Sequence, residues 1–322
     1  MKDILVVDNL NMHYETLEGN VMAVNNVTFT VKEGESFGLV GESGCGKSSV
    51  ASTLLQLQAD NAVISSGSIL LGDQELVGMS ESDLRKVRWN DISIVFQGAM
   101  NAWNPVIKIG EQIREAIREH HPENTKKENT EKISELFKIV GLDDSIMDRF
   151  PHELSGGMKQ RAVIALALSC DPKIVIADEP TTALDVVIQD QILKEIKKVQ
   201  ELLGLSLIYI SHDIAVIAEM TDRMAVMYAG RIVESGPTSE IFASPRHSYT
   251  KALLESTPSV VGDRVKLNSL DGEPPSLIDE ISGCSFAPRC PNRTTTCNPE
   301  LDMELVEIGQ EHYVDICNKE SH

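Results

Sequence analysis

Aromatic residues are scarce in this chain of 322 residues: two tryptophans, five tyrosines and seven phenylalanines make up 4% of it. Hydrophobic residues still reach 42%, which excludes global disorder and leaves Val, Ile, Leu, Ala and Met to build the core. Long apolar runs are missing. The longest, Ala162 to Leu168, is closed by Arg161 and Ser169, whereas a membrane-spanning helix needs about 20 residues. Basic charge is in deficit, with 29 Lys+Arg against 49 Asp+Glu and a net charge of −20. Such a surface repels phosphodiester backbones, so no nucleic-acid partner is expected, and a phosphate ligand needs a dedicated local site. Met1-Lys2-Asp3-Ile4-Leu5 sets an acid where a secretory signal carries its apolar stretch, so a cytoplasmic location is expected.

What is present is an alternation of strand-like and helix-like segments up to about residue 236, the pattern of α/β layers. Val21 to Val31, Ser36 to Val40, Gly67 to Leu71, Ile92 to Phe96, Lys173 to Ala177 and Ser206 to Ile210 read as strands, and Lys47 to Gln58 and Val186 to Leu203 as helices. Between Ile109 and Leu168 the period turns helical, with Ile109, Ile113 and Ile117 on one face and Ile133, Leu136, Phe137 and Val140 on another, which suggests an inserted helical subdomain. From Pro237 onward prolines multiply and periodicity fades, apart from a helix expected over Ser248 to Leu254.

Gly41-Glu42-Ser43-Gly44-Cys45-Gly46-Lys47-Ser48 matches the phosphate-loop pattern G-x-x-x-x-G-K-[ST] between a strand and a helix. Glycines let successive backbone N–H groups face phosphate oxygens, and the helix behind them adds its positive end. Lys47 can reach the β- and γ-phosphates, the Ser48 hydroxyl suits Mg²⁺, and Ser49 completes the candidate cradle. The apolar run Ile174 to Ala177 ends in Asp178 and Glu179. Asp178 fits a Mg²⁺-holding acid and Glu179 a base that polarises water for attack on the γ-phosphate. In Leu154-Ser155-Gly156-Gly157-Met158-Lys159-Gln160-Arg161, Ser155 reads as an N-cap, and Gly156 and Gly157 leave N–H groups bare at a helix head, a second anion site.

With these residues in order, the chain resembles the ATP-binding cassette (ABC) family, whose signature is Leu-Ser-Gly-Gly-Gln/Met. The resemblance implies further roles. Tyr14 stands where an aromatic stacks on adenine, Gln97 matches the Q-loop and joins Ser48 and Asp178 as a Mg²⁺ residue, Thr182-Ala183-Leu184-Asp185 matches the D-loop, and His212 the switch histidine. It implies an α/β fold: a P-loop ATPase core with a mainly parallel sheet, an antiparallel β subdomain, an inserted α-helical subdomain over about 98–170, and a loop-rich C-terminal extension. The nucleotide-binding domain is expected over 1–240 and the extension over 241–322. The family's mechanism needs two cassettes in a head-to-tail dimer, each ATP lying between one phosphate loop and the other subunit's signature helix.

Fused exporters carry membrane helices in cis and repair cassettes carry long coiled coils; neither is present here. The remaining expectation is an importer ATPase on the cytoplasmic face of the cell membrane. Its implied partners are a second cassette, two transmembrane permeases and, indirectly, an extracytoplasmic solute-binding protein. Arg246-His247-Ser248-Tyr249-Thr250-Lys251-Ala252-Leu253-Leu254 resembles the H-P-Y-T-x-A-L-L segment of peptide and nickel importer ATPases, with Ser248 where proline is usual. Leu270 to Leu277, Gly283 to Pro291 and Phe96 to Pro105 resemble the same subfamily. Di- or oligopeptide uptake is the favoured reading; nickel, another small solute, or a soluble ATPase acting on a macromolecule stay open.

Four of six cysteines, Cys284, Cys290, Cys297 and Cys317, fall after residue 283. Their spacing lacks the short knuckles of zinc sites and suits a 4Fe–4S cluster better, an assignment strengthened by members of the resembling subfamily that carry one. Zinc and free thiols remain alternatives. Cys45, at a variable position of the phosphate loop, and Cys170, at a helix end, are expected to be bystanders in thiol chemistry.

Overall fold

In the computed structural model, residues 2–182, 184–256, 270, 272–278, 281, 283–293, 304–309 and 311–315 are described. The chain divides into two compact units, Met1–Gly78 with Tyr209–His322, and Met79–Ile208. In the first, β1 (Asp3–Thr16) and β2 (Gly19–Lys32) pair antiparallel and bury Leu5, Val7, Leu10, Met12, Val24, Val27 and Val31. The register shifts between Val7 and Leu10, where Asn9 takes a left-handed φ of 49°. β3 (Ser36–Val40) is buried at every residue, as a strand covered on both faces must be. α1 (Lys47–Leu54) stops short of the expected Gln58 because Gln56 turns left-handed at φ 52° and Leu57 N–H returns to Ser52 O at 2.8 Å. β4 (Ala62–Leu71) and β5 (Gln74–Glu75) complete an antiparallel sheet in the order β2-β1-β4-β5.

The second unit opens with α2 (Glu81–Val87), capped by Ser80, and β6 (Ile92–Val95). α3 (Ile109–His120) turns Ile109, Ile113 and Ile117 inward, and α4 (Lys126–Ile139) buries Ile133, Leu136 and Phe137. A reciprocal Thr125–Glu128 capping box starts α4. α5 (Gly156–Ala167) follows, then β7 (Ile174–Asp178), which runs parallel to β6 with Val95 opposite Ala177. α6 (Val186–Leu203) leads to β8 (Ser206–Ser211).

Back in the first unit, α7 (Ile214–Met220) precedes β9 (Arg223–Tyr228), which is parallel to β3, and β10 (Arg231–Pro237), antiparallel to β9. α8 (Thr238–Ala243) and α9 (Ser248–Glu255) follow. Ser248 is the first helical residue of α9, where no N–H bond is needed, so serine serves as well as the proline usual there. Among the described residues of the tail, one further paired element stands out. β11 (Leu305–Gly309) and β12 (His312–Asp315) form a hairpin, and β12 pairs antiparallel with β10. Its short strands alternate too weakly to stand out as a sequence pattern, and pairing onto β10 supplies what the local sequence does not.

Glu234 of β10 pins this region. Fully buried, its carboxylate accepts the N–H groups of Arg246 and His247, each at 2.9 Å, and His312 Nε2–H at 2.9 Å. His247 Nδ1 in turn accepts Tyr249 N–H at 3.1 Å, capping α9. Burial pushes the His247 pKa from 6.5 down to about 4, with Lys251 adding to the effect. The folded chain therefore keeps this imidazole neutral while the unfolded chain protonates it, so its stabilisation is complete above 6.5 and is lost as pH falls toward 4. The loss should be on the order of 3 kcal/mol. Urea unfolding of wild type and His247→Asn, which keeps a capping acceptor, should show the wild-type advantage shrinking across that window; a constant difference would refute the assignment.

Candidate functional site

The first unit carries the phosphate loop. β3 delivers Gly41, and α1 starts at Lys47 with Gly46 at its N-cap, φ 107°, with no side chain capping the first turn. The leading N–H groups of the helix are thus left to an anion. An added Cβ on Gly46 would lie 2.2 Å from Ala23 O, and one on Gly41 2.2 Å from Met227 O, so the loop passes both strands at distances only glycine permits. Lys47 is buried, and its Nζ donates to Gly41 O at 2.7 Å and Glu42 O at 2.9 Å, which folds the ammonium over the loop. Cys45 Sγ lies 3.6 Å from the same Nζ, and burial outweighs Lys47 to push its thiol pKa up, leaving it a neutral lining group. Cys45 O accepts Gly230 N–H at 2.9 Å. Ser43, Gly44 and Ser48 are exposed.

Tyr14 on β1 is half-buried, its hydroxyl 3.0 Å from Ser49 Oγ, which joins the expected adenine-stacking residue to the expected cradle. His212 is exposed just after β8, and Asp213 beside it caps α7 through Ala215 N–H at 2.9 Å.

The second unit carries the carboxylates. Asp178 ends β7 with 4% exposure. Glu179 has a left-handed φ of 46°, a strained setting for a non-glycine residue. Its Oε2 accepts Gln97 Nε2–H at 2.8 Å and the Thr182 hydroxyl at 2.9 Å, so two donors aim the carboxylate. The parallel pairing of β6 and β7 brings Gln97 and Glu179 together from 82 residues apart. Ser155 caps α5, accepting Met158 N–H at 3.3 Å, and Ser155 and Gly156 are exposed at the helix head. A Cβ on Gly157 would come within 3.0 Å of Ile188 on α6. Arg161 Nη2 meets Glu195 at 2.7 Å and ties the two helices. Asp185 caps α6 through Ile188 N–H at 3.0 Å; Ala183 of the expected D-loop lies outside the described residues. The hydroxyl, amide and carboxylate of Ser48, Gln97 and Asp178 are the hard oxygen donors Mg²⁺ takes.

The profile of the family described as ABC transporter matches residues 24–182, and that of the oligopeptide/dipeptide transporter C-terminal region matches residues 233–297. The dipeptide transport ATP-binding protein DppD of Bacillus subtilis is 43% identical over 301 residues, covering 92% of this chain and 90% of that protein. This chain belongs to the ABC transporter family. The Lactococcus lactis DppD is 43% identical over 288 residues, covering 89% of this chain and 82% of that protein. Among solved structures, the dimeric cassette MJ0796 in a post-hydrolysis state bound to ADP and Pi aligns with a TM-score of 0.65 at 27% identity, over 73% of this chain and 98% of that one. The cassette cbiO1 of Clostridium perfringens aligns with a TM-score of 0.66 at 28% identity, over 76% of this chain and 92% of that one. As a cassette of this family, the chain binds and hydrolyses ATP. No helix among the described residues is long and apolar enough to cross a membrane.

Of the cysteine set, Cys284 and Cys290 are partly exposed and outside any disulfide, on either side of the short turn Ala287–Arg289. Cys297 and Cys317 lie outside the described residues, and among those described no three His, Cys, Asp or Glu side chains are grouped to hold a metal. Sequence reasoning missed three contacts: Thr182 on Glu179, and Tyr249 and Arg289, both of which reach Glu42 of the phosphate loop. Tyr249 and Arg289 lie inside tail segments that the family resemblance had already singled out, but nothing local in sequence ties them to a residue more than 200 positions earlier.

Gly46→Ala would set a methyl group against Ala23 O in a backbone region alanine avoids. A stability loss of about 1 kcal/mol or more and the disappearance of the ATP-induced rise in melting temperature should follow. Undiminished ATP binding would show that the close approach does not set the loop.

Proposed function

We propose that this chain is the ATP-hydrolysing subunit that powers uptake of di- or oligopeptides by a multi-subunit importer, working at the cytoplasmic face of the cell membrane. The observation that carries the hydrolytic part is Glu179, strained at the end of a buried strand and fixed by Gln97 and Thr182. The peptide class is supported by the matched C-terminal region and by relatives named for dipeptide and oligopeptide transport. The proposed partners are a second cassette, two permeases and, through them, an extracytoplasmic solute-binding protein.

In this reading the loop N–H groups and Lys47 hold the β- and γ-phosphates, and Tyr14 packs on adenine. Ser48, Gln97 and Asp178 would hold Mg²⁺, whose charge offsets that of the phosphate oxygens. Glu179 takes a proton from the attacking water as its oxygen bonds to the γ-phosphorus; the bond to the bridging oxygen breaks, giving ADP and phosphate. His212 contacts the γ-phosphate side. The Ser155–Gly157 helix head of a second copy or paralogue closes over the same γ-phosphate, so nucleotide bridges two half-sites that otherwise gain little from meeting. Glu179→Gln should bind ATP, accumulate closed dimers and lose roughly 10²-fold or more in turnover. In vesicles reconstituted with co-purified permeases, binding protein and second cassette, wild-type turnover should rise with added di- or oligopeptide. Unchanged turnover in the variant would remove Glu179 from its role, and stimulation by nickel alone would replace the cargo.

We further propose that Cys284, Cys290, Cys297 and Cys317 ligate a 4Fe–4S cluster that staples a segment poor in apolar residues. The donor chemistry supports it: four thiolates with irregular spacing, one followed by proline, suit iron–sulfur binding. Anaerobically purified protein should be brown and contain iron; colourless, iron-free protein would end this reading.

A further inference from the structure

Glu42, the second residue of the phosphate loop, has its polar groups engaged on three sides. Its carbonyl accepts Lys47 Nζ at 2.9 Å and Cys45 N–H at 3.3 Å. Its N–H donates to the Tyr249 hydroxyl at 3.0 Å, and its two carboxylate oxygens accept Arg289 Nη1 at 2.7 Å and Nη2 at 3.1 Å. A guanidinium gripping both carboxylate oxygens fixes orientation as well as distance. Both partners come from the matched C-terminal region.

These partners are themselves immobilised. The Arg289 side chain is only 4% exposed, and it also donates to Tyr228 Oη at 3.3 Å and Leu270 O at 3.4 Å. Hydrogen bonding to Glu42 raises the pKa of Arg289, so the guanidinium stays charged. Tyr249 is fully buried and packs with Tyr228 and Phe286 at ring-centroid distances of 4.6 and 5.3 Å. Burial holds its phenol above the ordinary range, so it remains a neutral hydroxyl able to accept the Glu42 N–H. We propose that Tyr249 and Arg289 are positioning residues for ATP: they set the Glu42 peptide unit, and through its carbonyl the Lys47 ammonium, in the orientation that receives phosphate. Neither touches nucleotide. The contact reaches ATP binding through the main chain, so releasing it weakens the grip on bound phosphate in ground and transition states alike. The signature is a raised KM with kcat little changed.

The proposal rests on the ATP site and is independent of cargo. Its test is a double-mutant cycle with Arg289→Ala and Glu42→Gln, plus Tyr249→Phe and Arg289→Lys, in the full-length chain. The readouts are steady-state ATPase kinetics, equilibrium binding of a fluorescent ATP analogue, and melting temperature without nucleotide. Arg289→Ala should raise both the KM for ATP and the analogue Kd about tenfold while kcat stays within about twofold. Arg289→Lys, which keeps charge but not the fork, should recover part of that loss, and Tyr249→Phe, which removes the acceptor and keeps the ring, should raise Kd by a smaller factor. In the Glu42→Gln background, Arg289→Ala should add little. Additive effects of the two substitutions, or a fall in melting temperature with KM and Kd unchanged, would reduce Arg289 to a structural role and overturn the proposal. Absence of analogue binding in the wild type would instead refute the ATP site itself.

Discussion

Holding a triphosphate on a chain of net charge −20 depends on where a few backbone N–H groups point. The overall field opposes the ligand, so in the proposed site attraction comes from the bare first turn of α1, the loop amides and one buried ammonium. Those groups work only if the loop cannot relax. Gly41 and Gly46 are pressed against Met227 O and Ala23 O, Gly230 N–H holds Cys45 O, and Lys47 closes onto the loop's own carbonyls. β2, β9 and the turn before β10 thereby act as a mould for the loop.

The Glu179 carboxylate, the proposed general base, answers to a similar constraint on the other unit. A glutamate at the end of a buried strand would ordinarily swing among rotamers. Here a left-handed backbone aims it, and Gln97 and Thr182 donate to one oxygen. The strain is local and is supported by β7, whose five residues are all buried. Gln97 lies on an exposed stretch following β6, so a shift there changes the donor set on Glu179 directly.

Much of this was legible in the sequence, for physical reasons that differ by element. Ser36–Val40 and Val186–Leu203 appear with the bounds their patterns predict, because continuous burial and a 3.6-residue period each leave an unambiguous trace. Ser155 caps its helix as its side-chain chemistry suggests. The glycine-rich loop was legible because few residue types tolerate its backbone. β1 leaves no clear sequence trace, since bulges at Asn9 and beyond break its alternation, and the sequence predicts a longer α1 because nothing in Leu55-Gln56-Leu57 announces a left-handed turn. The β11–β12 hairpin and the grip of Arg289 on Glu42 depend on partners far away in sequence, which no local periodicity encodes.

The C-terminal segment shows why such long-range contacts matter. With prolines frequent and apolar residues few, it cannot bury enough surface to fold by itself. It is instead fastened at polar points. Buried Glu234 accepts the backbone N–H groups of Arg246 and His247 and the ring of His312, and Glu42 receives Tyr249 and Arg289. Hydrogen bonds to a buried or half-buried carboxylate add little net stability over an apolar packing, yet they are costly to break singly because the carboxylate is left unsatisfied. A segment held this way cannot shift without disturbing the residue it holds, and that residue lies in the phosphate loop. Tyr249 and Arg289 thus tie the extension to the glycine-rich loop within the compact unit that also holds residues 1–78.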